Sequence, residues 1–456
     1  MQALRSRIVL FFTIIIFSLP IVVPGQVKSN LVSGPWAGNV ELRNATIWLE
    51  VSPKVRSVAV KYFLPGKSIN AQTVEYKGEL GNEFNPVKIE LNGLAFNTNY
   101  NYTLILDGKS INANKDWQFT TKDLWQYRKP PPDFTFLAGS CAYFNEPAVD
   151  RPGTPYGADS SIFETMANTP AAFHLWLGDS WYNREVDYFT NWGLNYRASH
   201  DRSMGILQKF MASMPHYAIW DDHDYGPNDI GKSYELKEFS RKVFMNYWCN
   251  PSYGENGEGI YSKISHSDVD IFLTDNRYFR SPYELADTID GKPNNDKAFF
   301  GKKQMDWLKD ALLFSNATFK IIATGGQVLN PLNDFDCFNQ YRGEYHELMS
   351  FLERQKIKGV IFLTGDRHHS EIIKMERKGT YTLYDITASP YTAGISKVRG
   401  KELQNPARIN GTLVEKHNFA KINVTGSKGQ RKMQVEFIGI KGEMLSLWSV
   451  AEKDLQ

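Results

Sequence analysis

Most of the side chains able to do chemistry lie in four short segments, each directly after an apolar run of strand length. Residues 134–138 lead into Gly139-Ser140-Cys141, and residues 173–177 into Gly178-Asp179-Ser180-Trp181-Tyr182. Residues 217–220 lead into Asp221-Asp222-His223-Asp224-Tyr225-Gly226, with Asn228-Asp229 close behind. Residues 360–363 lead into Thr364-Gly365-Asp366-Arg367-His368-His369. In open α/β sheets, ligands bind outside the carboxyl ends of the strands, so four such loops are placed to share one crevice.

Each loop alone has a bland explanation. A Gly-Asp after a strand commonly makes a turn or a helix cap, a lone Cys141 is a small buried hydrophobe, and His368-His369 is a surface pair. The run from Asp221 to Asp224 is harder to set aside, because three carboxylates in four positions repel one another unless cations neutralise them. The four loops together point to bound metal. Thiolate, phenolate and imidazole donors suit a transition metal, with ferric iron favoured by the anionic Cys and Tyr, whereas a carboxylate and carbonyl shell suits calcium, magnesium or manganese. Two unlike ions side by side activate water and neutralise phosphoryl oxygens, which makes phosphate ester hydrolysis the natural reaction.

These loops need a scaffold, and the chain supplies one in two textures. Between residues 31 and 121 short alternating segments separated by Pro, Gly and Asn turns predict an all-β sandwich. Within it, residues 91–102 resemble the E–F corner of fibronectin type III domains, with Tyr100 as the corner tyrosine. Residues 127–133, with three consecutive prolines, read as a stiff linker. Beyond it, apolar strand-length runs alternate with helical stretches such as 202–214 and 304–314, the pattern of an α/β domain. Alternation returns in 419–424, 432–438 and 444–450 as closing strands.

Residues 1–25, with Arg5 and Arg7 ahead of an apolar run from Ile8 to Val23, read as a secretory signal, which places the protein outside the cytoplasm, secreted or periplasmic. An uncleaved segment acting as a membrane tether is the alternative. After signal removal no stable membrane insertion is expected. The domain reading is therefore a signal over 1–25, a β-sandwich over 31–122 and a catalytic domain over 133–456. Hydrophobic residues at 42% and charged residues at 22% give a foldable globular chain, and a net charge of +2 gives no reason to expect a specific nucleic-acid partner. Three cysteines, Cys141, Cys249 and Cys337, are too few for a disulfide framework.

The loops Gly139-Ser140-Cys141, Gly178-Asp179-Ser180-Trp181-Tyr182, Trp220-Asp221-Asp222-His223-Asp224-Tyr225-Gly226 and Leu363-Thr364-Gly365-Asp366-Arg367-His368-His369-Ser370-Glu371 resemble those of the alkaline phosphatase D (PhoD-like) family of calcineurin-like metallophosphoesterases. The resemblance implies an α/β fold, a β-sandwich flanked by helices in four layers, behind the N-terminal all-β, fibronectin III-like domain. It implies Fe3+ beside Ca2+, and exported activity on phosphomonoesters or phosphodiesters through a metal-activated hydroxide. Carried over by position, it implies that Cys141, Asp179, Tyr182 and His368 hold iron, with Asp179 bridging to a second metal whose ligands include Asp222 and Asp366. His223 occupies the position that contacts the phosphoryl group and protonates a leaving oxygen, and Arg367 is the best-placed arginine for a phosphate oxygen.

Some positions stay open at this level. The wider superfamily has a further histidine ligand between the third and fourth loops, where Thr324-Gly325-Gly326-Gln327 supplies none. Asn228 and Asp229 read equally as calcium ligands or a turn. Arg184 and Arg197 suit ion pairs better than substrate. Trp192, Tyr196, Tyr247, Trp248 and Tyr253 fit either an aromatic rim or core. The expected partner is a small or polymeric phosphate ester met by a monomer. The rivals are an extracellular envelope-binding protein with structural metals and a metal-dependent hydrolase of another ester.

Overall fold

The computed structural model describes residues 30–111, 117–332 and 335–456, so the expected signal over 1–25 lies outside the described residues. Among those described, no helix is long and apolar enough to cross a membrane. The chain opens with two antiparallel sheets. One pairs Leu31–Val40, Asn44–Val51 and Asn85–Asn92; the other is built on Val58–Phe63 and Asn99–Leu106. Their inner faces alternate with polar outer positions and close around Ile47, Leu49, Val60, Val87 and Leu104. The Tyr100 hydroxyl accepts the Ala95 N–H at 2.9 Å, the corner bond expected of this segment.

The remainder stacks two six-stranded mixed sheets, with helices on their outer faces, as expected from the sequence. In the first, Phe134–Gly139, His174–Leu177 and His216–Ile219 run parallel and are continued antiparallel by Asn418–Thr425, Lys432–Gly439 and Met444–Ala451. In the second, Val269–Leu273, Phe319–Thr324, Val360–Thr364 and Leu383–Thr387 run parallel, with Ser262–His266 and Glu371–Met375 antiparallel at the edges. The parallel strands are apolar at nearly every position because both faces are covered, by the facing sheet and by helices. The closing strands alternate because one face meets less cover.

The helix expected over 202–214 is found as the shorter Gly205–Met211, and a separate helix, Asn191–Arg202, precedes it. Asn191–Arg202 stops where the Ser203 hydroxyl donates to the His200 carbonyl at 2.8 Å and Met204 takes an extended ψ of 123°; Gly205–Met211 then restarts. Arg202 ends the first helix with its guanidinium buried 4.0 Å from the Trp248 ring centroid. The helix expected over 304–314 is found as Lys302–Phe314.

The N-terminal sandwich is fused to this body rather than tethered. Trp36 and Trp48 leave their own sandwich to join the large core, 5.6 Å apart and packed on Trp248 and Tyr247. The Trp48 indole donates to the Asn246 carbonyl at 2.8 Å. A side chain at Gly38 would lie 2.1 Å from the Cys249 Cβ, so only glycine permits the approach. Glu50 is buried in the same junction, accepting Ser199 and Tyr247 hydroxyls at 2.8 and 3.0 Å, and burial pushes its pKa up to about 7.

The raised Glu50 value gives a pH dependence with a definite sign. The folded state keeps this proton up to about pH 7, while the unfolded chain loses it near the ordinary value of 4.5. Folding stability therefore declines between those two pH values, by roughly 2–3 kcal/mol from this group. Glu50→Gln is expected to remove that decline and to raise the denaturation midpoint at pH 8, measured by urea unfolding across pH 4.5–8. An unchanged slope in the variant counts against the assignment.

Candidate metal centre and active site

The four loops do converge, at the carboxyl ends of the parallel strands of both sheets. Gly178 turns the second loop in a left-handed conformation (φ 94°), and a Cβ there would lie 2.5 Å from that of Asp221, so the second and third loops touch. The first and fourth meet where the Cys141 thiol faces the Asp366 carbonyl at 3.8 Å. Cys141, Asp179, Asp366 and His368 all have φ between 51° and 65°. Non-glycine residues in this region cost roughly 1–3 kcal/mol each, and such residues cluster where a site demands a particular side-chain direction.

Cys141, Asp179 and His368 bring ligand atoms within 4.8 Å of one another. Tyr182 joins them, its hydroxyl 3.1 Å from Asp179 Oδ2 and 3.4 Å from His368 Nε2. Because the Gly394 carbonyl can only accept, its 2.5 Å contact with His368 Nδ1 puts the proton there and leaves Nε2 as the lone-pair donor facing Tyr182. Ser140 and Ser389 place hydroxyls 3.2 Å from the Cys141 sulfur. Burial nevertheless pushes the thiol up to about 12, and burial likewise raises Tyr182 well above its usual range. Only a cation in this pocket would make both anionic near neutral pH.

The second cluster joins Asp221, Asp222 and Asp366, and a third overlaps both through Asp179, Asp222 and His223. Burial, with neighbouring carboxylates, pushes Asp366 up to about 8 and Asp179 well above the carboxylate range. Asp221 rises to about 7 by burial, although Arg277 opposes this through a 2.5 Å bond from Nε. Burial also works against ionised Asp222, but His223 and Arg277 outweigh it and hold the group well below its usual range. Asp222 Oδ1, Asp221 Oδ2 and Asn276 Oδ1 are buried without a hydrogen-bond partner. Oxygens left bare in such a place are what a hard cation takes up, so these residues fit one.

Asp224 takes no part in these clusters. It instead accepts the backbone N–H groups of Asp179, Ser180 and Asp221 at 2.5, 2.8 and 2.9 Å, clipping the second loop to the third. His223 projects between the clusters and the adjoining cleft, its ring stacked 4.2 Å from that of Tyr182 and its Nε2 3.9 Å from Asp222 Oδ2. Burial lowers its pKa, and Asp222 acts in the opposite direction. The open cleft here has a volume of about 440 Å³, with Asp179, Asp222, His223, Asp366, Arg367 and His368 in its wall.

Every residue singled out from the sequence as a ligand or catalytic group is at this cleft or within its clusters. Arg367 lines the wall while donating to both oxygens of Glu402 at 3.0 and 2.8 Å. Arg184 and Arg197 are buried ion-pair partners, of Asp150 and of Glu146, Asp187 and Asp201. The Asp229 N–H donates to Asp222 Oδ2 at 2.9 Å. Tyr247 and Trp248 are core, whereas Trp192 is exposed and stacked on Tyr196. Sequence reasoning missed Asn276 and Arg277, which follow the apolar strand Val269–Leu273 just as the other loops follow theirs. Where the superfamily histidine was sought, a Cβ on Gly325 would already lie 2.5 Å from the Asp221 carboxyl carbon. All three cysteines are free and buried.

The family described as PhoD-like phosphatase matches residues 136–436, and a domain of unknown function matches residues 28–124. Alkaline phosphatase D of Bacillus subtilis (strain 168) is 25% identical over 206 residues, covering 39% of this chain and about a third, 35%, of that protein. A solved structure described as that of PhoD superposes with a TM-score of 0.73 at 16% identity, over 93% of this chain and 91% of its own, so the two share a fold.

The Asp224 clip is separable from any ligand role. Asp224→Ala leaves three buried N–H groups without acceptors and is expected to cost roughly 2–4 kcal/mol in chemical denaturation. Asp222→Ala, which removes a candidate ligand that accepts a single backbone bond, is expected to cost less in chelated protein. Equal losses for the two would contradict the division.

Proposed function

Because the chain belongs to the PhoD-like phosphatase family, we propose that it is a metal-dependent phosphoric ester hydrolase, exported on the strength of its N-terminal 25 residues, that cleaves phosphomonoesters or phosphodiesters. One observation carries this reading: three overlapping clusters of buried carboxylate, thiol and imidazole, each within 4.8 Å, bordering an open cleft. Cys141, Asp179, Tyr182 and His368 would hold ferric iron. Asp179 would reach the second site, where Asp222, Asp366 and the newly found Asn276 offer the all-oxygen donors that suit calcium. Bound cations would lower the pKa of water and offset charge on the phosphoryl oxygens.

The chain's own side chains account for the remaining steps. A water that has released one proton to solvent bonds through its oxygen to phosphorus as the ester P–O bond opposite breaks, and the departing oxygen needs a proton. His223, at the cleft wall, delivers it; burial lowers its pKa and so makes it a stronger acid, while Asp222 opposes that shift. Arg367 faces the same cleft, and Glu402 fixes its guanidinium in place. Neither Ser140 nor Ser180 is needed as a nucleophile, and Ser180 is turned away to donate to Asp224.

His223→Ala is expected to lower kcat on 4-nitrophenyl phosphate by about 10²–10⁴-fold while the metal content of purified protein stays as in the wild type. Asp179→Asn is expected to lose metal and activity together. A chiral phosphate ester should be hydrolysed with inversion at phosphorus; net retention would rule out direct attack by water. Wild-type protein that carries metal yet turns over no phosphate ester would leave the family fold without this activity.

A further inference from the structure

A second and larger cleft of about 870 Å³ opens from the first, sharing Tyr156, Arg367, His368 and Ser396 with it. Among the described residues its wall holds four cations, Arg367, Lys397, Arg399 and Lys401, and one carboxylate, Glu402. Glu402 is already engaged by Arg367. Lys397 and Arg399 are exposed and make no ion pair among the described residues. The segment carrying them is anchored on the candidate ligand His368, whose Nδ1 meets the Gly394 carbonyl and whose own carbonyl accepts the Ser396 N–H at 3.0 Å. The Val398 N–H, between the two cations, is held by Glu415 at 2.8 Å. The backbone that carries the pair is therefore tied beside the centre.

The cleft on the other side of the centre differs. It also adjoins Tyr156 and His223, but its charges are matched within the protein, Arg184 with Asp150 at 3.1 Å and Arg151 with Glu185 at 3.4 Å. Among the described residues, a substrate whose reacting phosphoryl group sits at the clusters thus meets cations without an ion-pair partner on this side only, with the Glu415 carboxylate taken up by the backbone between them.

We propose that Lys397 and Arg399 form a subsite for a second, non-reacting phosphate of the substrate, so that the protein selects esters carrying two phosphates over those carrying one. The proposal rests on the phosphoesterase reading and narrows it. Cations facing a confined cleft raise local anion concentration and encounter rate, by about tenfold or more for a small set of charges at low salt.

The test compares 1,3-propanediol bisphosphate with the monophosphate of the same diol, following phosphate release by the metal-loaded full chain at low ionic strength. The wild type is expected to favour the bisphosphate by about tenfold in kcat/KM. Lys397→Ala/Arg399→Ala should bring that ratio close to one, and the charge-conserving Lys397→Arg/Arg399→Lys should restore it. Thermal unfolding of both variants checks that they are folded. A wild-type ratio near one, or an alanine variant that keeps the wild-type ratio, overturns the subsite while leaving the phosphoesterase reading intact. Turnover of neither ester overturns both.

Discussion

Four carboxylates converge on one small buried region, and the geometry of the catalytic domain follows from what that requires. At about 4.8 Å, two like charges in a partly screened interior oppose each other by roughly 3–4 kcal/mol. The protein's own answer is incomplete. Arg277 reaches Asp221 and Asp222, and Arg280 shares Asp336 with it, but Asp179 and Asp366 are held toward their neutral forms by burial. Bound cations would complete that balance, and among the described residues the buried, unpartnered oxygens of Asp222 and Asn276 fit such a role.

Holding such groups together needs a rigid frame on every side. The two stacked sheets supply it, because parallel strands buried on both faces point their carboxyl ends in one direction and place four loops at one edge. The left-handed conformations at Cys141, Asp179, Asp366 and His368 are maintained against their cost by bonds behind them: Asp224 across the second and third loops, Ser389 to the His368 N–H, and Gly394 to its ring. The N-terminal sandwich adds bulk to this frame. Through Trp36, Trp48 and Glu50 it packs on Trp248 and Tyr247 at the end of the helix Lys237–Tyr247, whose neighbour Asn191–Arg202 comes after the second loop in the chain.

Legibility varied with the range of the interaction involved. The strands ahead of the four loops could be read almost to the residue, since a run such as Val360–Thr364 is apolar wherever it goes. The Tyr100 corner was readable for the same reason, its bond closing only five residues away. The break at Ser203-Met204 was not: there Arg202 closes one helix with its guanidinium over Trp248, 46 positions along the chain, a contact that no local pattern records. The aromatic residues near the loops divided into core and surface by contacts that no periodicity records: Tyr247 and Trp248 are buried against Trp48 and Trp36, while Trp192 lies exposed against Phe84 and Tyr196.

What the amino-acid sequence determined alone was the inventory: which donors exist, that each follows a strand, and that their types suit unlike metals. These are properties of neighbours in the chain. What only the tertiary structure decided was the partnership among them. It set Asp224 apart as a clip while Asp222 faces the cleft, brought Asn276 and Arg277 in from a strand whose loop drew no notice, and laid Lys397 and Arg399 beside His368. The reason is that charge, burial and coordination act through space over a few ångströms. Residues 45 to 225 positions apart along the chain come within that reach only once both sheets are stacked.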